Sequence, residues 1–335
     1  MPKPPEGLHV AAEDMLDLDV LVNPTSKSVI RGATIVPRGL MPLYGMDGGW
    51  STWMWAQWPI ESYIIPSMHH MVENGANAIA FKGGQKIYTD QNITWDEYVA
   101  RWVDTVNYAK SIGLRCYVSF GNRGTYPGSS AHDWDNSVPH PTNASLMRDW
   151  AQALAETENV IGIDVLNEVW IWTTNDDELS LYMDSCGESG IPVAYDYQAG
   201  GQENLGATAW GPKVKERMDY ICLHRYADVL PTDLDTFREQ HPYLAADMRA
   251  MFSEYGANTS MTTQARQSRY QSMKDLIDAD ASLAGTFAFQ WADSPNDPSG
   301  NQLGMHEVDF AYPGPPSFTP RSDVVDIWKT WPTSR

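Results

Sequence analysis

Cysteines, basic residues and long apolar runs are all scarce in this sequence. Its 335 residues include three cysteines, Cys116, Cys186 and Cys222, with no CxxC spacing. That number and scatter exclude a disulfide framework or a zinc ribbon, and the apolar runs around Cys116 and Cys222 mark them as buried thiols. Against 43 Asp and Glu stand only 23 Lys and Arg, for a formal charge of −20. Such a surface repels a phosphate backbone, so a nucleic-acid partner is excluded. No stretch reaches the roughly 18 consecutive apolar residues of a membrane span, so no membrane partner is expected. The opening residues MPKPPEGLHVAAEDMLDLDVLVN lack the basic start and apolar core of a signal peptide. The expectation is that the protein stays inside the cell, or reaches an extracellular or virion-associated site by another route.

What is present is aromatic. The chain has 14 Trp, 16 Tyr and 8 Phe, more aromatic surface than a solvated, disordered chain carries. Short apolar runs recur between amphipathic stretches. They are RGLMPLYG from Arg38, NAIAF from Asn77, LRCYVSF from Leu114, VIGIDVL from Val160, PVAYDY from Pro192, YICLH from Tyr220, AMFSE from Ala250 and GTFAFQW from Gly285. Between the second and third runs, Thr94 and Glu97 form a T-x-x-E capping box. Tyr98, Trp102 and Val106 then recur at helical spacing, and Gly113 ends the helix. Further helices are read after Asn143 and between about Thr262 and Ala281. This alternation predicts an α/β fold, a (β/α)8 TIM barrel over residues 38–335 with a short N-terminal hairpin extension over residues 1–37. The extension is placed against the barrel floor, and the Pro- and Gly-rich stretch from Asp293 to Pro320 is read as a long loop after strand eight. An open doubly wound sheet would want a G-x-G-x-x-G loop after the first strand, which GMDGGW from Gly45 does not supply.

Two strand ends carry acids. Run four ends in Leu166-Asn167-Glu168 and run seven in Ser253-Glu254-Tyr255-Gly256. A carboxylate at the end of an apolar strand is costly unless it faces a cavity or a partner. In a barrel, the C-terminal strand ends are where active sites are built, and strands four and seven face each other across the mouth. Two carboxyls about 5–5.5 Å apart are what a retaining glycosidase uses, one as nucleophile and one as acid then base. No G-x-S-x-G elbow or H-E-x-x-H zinc site appears, and no metal or organic cofactor is expected.

With these residues in view, the chain resembles glycoside hydrolase clan A, in particular the family-five cellulases and mannanases. ENVIGIDVLNEVW (Glu158 to Trp170) resembles the clan's strand-four Asn-Glu motif, and FSEYGA (Phe252 to Ala257) its strand-seven nucleophile motif. DYICLHRYAD (Asp219 to Asp228) is similar to the strand-six His-x-Tyr segment, and GTFAFQWADS (Gly285 to Ser294) to the strand-eight segment ending in a substrate-facing Trp. The resemblance implies Glu168 as general acid/base, Glu254 as nucleophile and Asn167 on the sugar 2-hydroxyl. It also implies Tyr226 as a hydrogen-bond donor to Glu254, His224 as a wall of the same pocket, and Trp291 as the floor of the subsite holding the distorted ring. Family five has an arginine at the end of strand two and a histidine after strand three. Here Lys82 stands at the first position, and Asn122 or Arg123 at the second.

Tryptophans crowd the expected mouth loops, at Trp50, Trp53, Trp55, Trp58, Trp134, Trp170, Trp172, Trp210 and Trp291. Rings in loops suit stacking on the apolar faces of sugars. Taken with what the resemblance implies, Glu168, Glu254, Asn167, His224, Tyr226, Trp291, Trp170, Asn122 and Lys82 are the expected site residues. The expected activity is retaining, endo-acting hydrolysis of β-glycosidic bonds in an oligo- or polysaccharide. The competing expectation is a carbohydrate-binding virion or surface protein on a barrel scaffold with little turnover. The glycan and the oligomeric state are left open.

Overall fold

The computed structural model describes residues 11–35, 60–82, 93–120, 140–166, 176–194, 212–240, 245, 247–293, 303–309 and 315–335. Strands and helices alternate along them: β1 (Ile30–Thr34), α1 (Ile65–Glu73), β2 (Ala78–Lys82), α2 (Trp95–Ser111), β3 (Arg115–Ser119), α3 (His140–Ala155), β4 (Val160–Asp164) and α4 (Asp176–Gly187). There follow β5 (Val193–Ala194), α5 (Pro212–Lys215), β6 (Ile221–Arg225), α6 (Asp233–Gln240), β7 (Ala250–Tyr255), α7 (Thr263–Ala279) and β8 (Leu283–Ala288). Last come β9 (His306–Asp309), β10 (Ser317–Pro320) and α8 (Ser322–Trp328).

Eight strands form one parallel sheet in the order β5-β4-β3-β2-β1-β8-β7-β6. The sheet curls until its two ends meet. At that seam the Val193 amide donates to Asp219 Oδ2 (2.8 Å) and the Asp219 amide donates to the Val193 carbonyl (3.0 Å). The predicted (β/α)8 barrel is thus the observed fold.

Seven of the eight expected strands fall on their runs. The exception is the first. Strand β1 is Ile30–Thr34, paired with β2 and β8, so the barrel begins ahead of the expected boundary at residues 37/38. The run from Arg38 lies outside the described residues. Nor do described residues 11–29 form a hairpin: they make a short helical turn and further turns, with one bridge from Ser28 to Ser334. Leu16, Val20 and Leu21 pack with Ile161 and Tyr220 in the barrel interior. Gly162 makes room for them, since a Cβ there would sit 2.6 Å from Leu21 Cδ1. The stretch after β8, expected as a loop, contains the antiparallel pair β9–β10.

Local chemistry explains the clearest helix. Thr94 Oγ1 accepts from the Glu97 amide (3.2 Å), capping α2. Tyr98, Trp102 and Val106 are buried along its inner stripe, and Trp102 meets Trp150 of α3 edge-on at 5.3 Å. The Glu97 carboxylate turns to Arg101 (an i,i+4 pair). Gly113 follows with φ 87°, a conformation that favours glycine.

The strands sort their side chains by period two. On β2, Ile79 and Phe81 face the helices while Ala78 and Ala80 face the barrel interior. Small interior residues leave space for larger ones on neighbouring strands. A Cβ on Gly32 would lie 2.4 Å from Phe287 Cδ1, and that ring stacks on Tyr117 at 5.5 Å. The same alternation decides which residues crown the barrel.

Candidate active site

On β2 and β6, parity carries the interior row upward to one residue at the C-terminal end. On β2 the row Ala78, Ala80 ends in Lys82, and on β6 the row Tyr220, Cys222 ends in His224. Strand β7 breaks the rule, and the break is what aims the acid. Met251 faces the interior, whereas Phe252 and Tyr255 join the outer core. Strict alternation would then send Ser253 inward and Glu254 out among the helices. Instead the β6–β7 register jumps from Leu223↔Phe252 to His224↔Glu254, leaving Ser253 unmatched, and the β7–β8 ladder shifts over the same residues. A bulge of this kind adds one residue and reverses the facing of the residues beyond it. Glu254 is consequently presented beside Lys82 and His224.

The carboxylate of Glu254 is 3% exposed. Burying an ionised acid that deeply requires charge and hydrogen bonds in return. Lys82 Nζ forms an ion pair with Oε1, and the Tyr226 hydroxyl donates to Oε2. His224 Nδ1 lies 3.5 Å from the same Oε2. An adjacent ammonium and a donating phenol both favour the ionised carboxylate. Each oxygen has two lone-pair directions, so among the described residues Oε1, which meets Lys82, keeps one for a further contact, while Oε2 faces both Tyr226 and His224.

Four of the expected site residues thus meet: Lys82, His224, Tyr226 and Glu254. Lys82 was expected to touch substrate, but its ammonium is engaged with Glu254, with the side chain 12% exposed. Trp291 is placed elsewhere. It is 1% exposed, and its ring packs against His306 (4.2 Å), His70 (5.3 Å) and Trp328 (5.5 Å). In this structure it is part of the outer core rather than a floor for a sugar. Asn122, Asn167, Glu168 and Trp170 lie outside the described residues, as do Trp50, Trp53, Trp55, Trp58, Trp134, Trp172 and Trp210.

One site residue was missed from sequence. Phe289, just past β8, lies beneath the group: its ring centroid is 5.6 Å from Lys82 Nζ and 6.0 Å from the Tyr226 ring, edge to face at 85°. Strand β8 turns both Ala284 and Phe287 to the interior, so parity over the run does not single this residue out; counted from Phe287, the next residue of the row is Phe289, two positions before the tryptophan that the resemblance implied.

Among the described residues no group of three or more His, Cys, Asp or Glu is arranged to hold a metal ion, and no helix is long and apolar enough to cross a membrane.

No protein-family model matches the chain, and no curated protein matches it by sequence. Solved structures match it by fold. A GH5_18 protein from Streptomyces cattleya in complex with GlcNAc superposes with a TM-score of 0.66 at 14% identity, covering 93% of this chain and 83% of that one. An exo-beta-1,4-mannosidase from Opitutaceae bacterium strain TAV5 gives 0.61 at 13% identity, over 94% of this chain and 62% of its own. The beta-glucosidase 1317 gives 0.59 at 12% identity, covering 90% and 97% respectively. At such identities the likeness establishes a shared barrel.

Proposed function

We propose that this protein is a retaining glycoside hydrolase acting on the β-glycosidic bonds of an oligo- or polysaccharide, with Glu254 as nucleophile and Glu168 as general acid, then base. The observation that carries this reading is the setting of Glu254. It is a buried carboxylate at the barrel mouth, turned inward by a bulge and held between an ammonium and a phenol. An enclosed carboxylate held in one orientation at a strand end is the arrangement that attack on an anomeric carbon requires. The fold neighbours support the reading, because those named by activity are a mannosidase and glucosidases or glycosidases.

In the first step a Glu254 oxygen attacks the anomeric carbon while Glu168 gives its proton to the departing glycosidic oxygen. A covalent glycosyl-enzyme forms and the leaving sugar departs. In the second step Glu168, now a carboxylate, takes a proton from water, whose oxygen attacks the same carbon and releases Glu254. Two inversions restore the β configuration. Lys82 and Tyr226 hold Glu254 charged and correctly turned before attack. Their interaction weakens as the ester forms and the negative charge leaves the carboxyl, which also favours breakdown of the intermediate back to the carboxylate. Asn167 would bind the sugar 2-hydroxyl, and Asn122 and Trp170 would supply polar and stacking contacts. Endo action is supported by the tryptophan-rich segments at positions 50–58, 134 and 170–172.

The test begins with a panel of β-linked glycans scored for new reducing ends. Glu254→Gln and Glu168→Gln should each lower turnover of the responsive substrate by roughly 10³-fold or more. NMR of the first product should show the β anomer. Release of the α anomer first, or full activity in either variant, would overturn the proposal. Product lengths early in the reaction separate endo from exo cleavage.

A further inference from the structure

The setting of Phe289 suggests a role that neither its position in the sequence nor the chemistry of its side chain announces. Its backbone is pinned to the end of β7. The Phe289 amide donates to the Tyr255 carbonyl (2.8 Å), and Gly256 lies so close that a Cβ there would be 2.2 Å from the Phe289 carbonyl oxygen. With the backbone fixed, the ring has little freedom, and it is 2% exposed. Its face receives the Lys82 ammonium and the Tyr226 ring packs against it edge to face. These are the two side chains that engage the two oxygens of Glu254.

We propose that Phe289 is a positioning residue for Glu254, acting through Lys82 and Tyr226, rather than a sugar-stacking platform. The inference rests on the reading of Glu254 as nucleophile only for its effect on turnover. Lysine has four rotatable bonds and an ammonium that water would otherwise draw away from the carboxylate. An aromatic face within about 6 Å attracts that cation without competing for the acid. Phenylalanine suits the task better than tryptophan or tyrosine, because an indole N–H or a second phenol would bring its own donor into the pocket. The Tyr226 ring is likewise fixed by the edge contact, which leaves its hydroxyl aimed at Oε2.

Among the described residues, the titratable groups facing Glu254 are Lys82 from β2, His224 from β6 and Tyr226 immediately after β6. The experiment reads the carboxyl itself. In protein carrying 13C-labelled glutamate, the Glu254 resonance is assigned by its loss in Glu254→Gln and titrated without substrate. It is compared with Phe289→Leu and with Phe289→Met, the latter keeping more of the buried volume if the former fails to fold. Loss of the ring should raise the Glu254 titration midpoint by about one pH unit, a tenfold change in its ionisation equilibrium. On a responsive glycan, kcat should fall about tenfold with KM within twofold of wild type. An unmoved midpoint in a folded variant would overturn the proposal. So would a raised KM at unchanged kcat, which would make the ring a platform for substrate. Wild-type protein that hydrolyses no glycan would instead count against the proposed function, while the titration would still decide the role of Phe289.

Discussion

Acid should destabilise this protein through His306 at pH values where most carboxylates are still charged. His306 opens β9 and is 0% exposed. Its Nδ1 lies 2.9 Å from the Trp291 carbonyl, which accepts the ring proton, while Nε2 meets no hydrogen-bond partner among the described residues. Burial pulls its pKa from 6.5 down to about 4; the Trp291 carbonyl opposes that shift, and His70, Lys329 and Arg321 add to it. The unfolded chain therefore takes up a proton below pH 6.5 that the folded protein refuses until about pH 4. Stability is fully present above the higher value and drains away across that window. Integrating the proton uptake gives a loss of about 2 kcal/mol by pH 5 and about 3 kcal/mol by pH 4, against a total of about 5–15 kcal/mol for a typical domain. His70, lowered mainly by burial, acts in the same direction. Urea unfolding followed by circular dichroism at pH 7 and pH 5, on wild type and His306→Phe, isolates this contribution. Wild type should lose about 2 kcal/mol more than the variant between the two pH values. Equal losses would refute the reasoning, whatever the variant's absolute stability.

Three other outcomes rest on particular contacts. Gly285 has φ 130°, and a Cβ there would meet the Ile30 backbone at 2.2–2.7 Å, so Gly285→Ala should cost more than about 3 kcal/mol or leave the protein insoluble. A urea midpoint within error of wild type would contradict the β1–β8 packing. Trp291→Ala should lose about 3–5 kcal/mol of stability with KM little changed; a stable variant with a much higher KM would restore the subsite reading. Tyr226→Phe removes a hydrogen bond to a charged group, about 1.5–3 kcal/mol, so kcat/KM should fall roughly 10- to 100-fold with the acidic limb of its pH profile moved upward. Unchanged activity would mean that Tyr226 does not hold the reactive carboxylate.

The rhythm of the barrel was legible because burial on both faces writes each parallel strand as an apolar run, and Thr94, Gly113 and Thr262 mark helix ends by local hydrogen bonding and backbone conformation. Strand β1 was not, because Arg31, Gly32 and Thr34 break up the apolar residues of Ile30–Thr34, whereas RGLMPLYG from Arg38 reads as a more continuous apolar run. The hairpin β9–β10 escaped for a related reason: Pro- and Gly-rich flanks mask a pair held by long-range contacts such as the Arg321–Asp293 ion pair.

For the site, the sequence alone determined which residue types stand at the ends of which strands, and so placed Lys82, His224, Tyr226 and Glu254 near a common mouth. Facing was decided elsewhere. A one-residue shift in pairing reverses every side chain beyond it, and that shift is a property of two ladders at once, set by how β6, β7 and β8 fit together around Ser253. The tertiary structure therefore turned Glu254 inward, set Phe289 beneath its partners, and sent Trp291 into the outer core with His70 and His306. Composition can nominate an aromatic ring, but only the register of the assembled barrel fixes the direction in which it points.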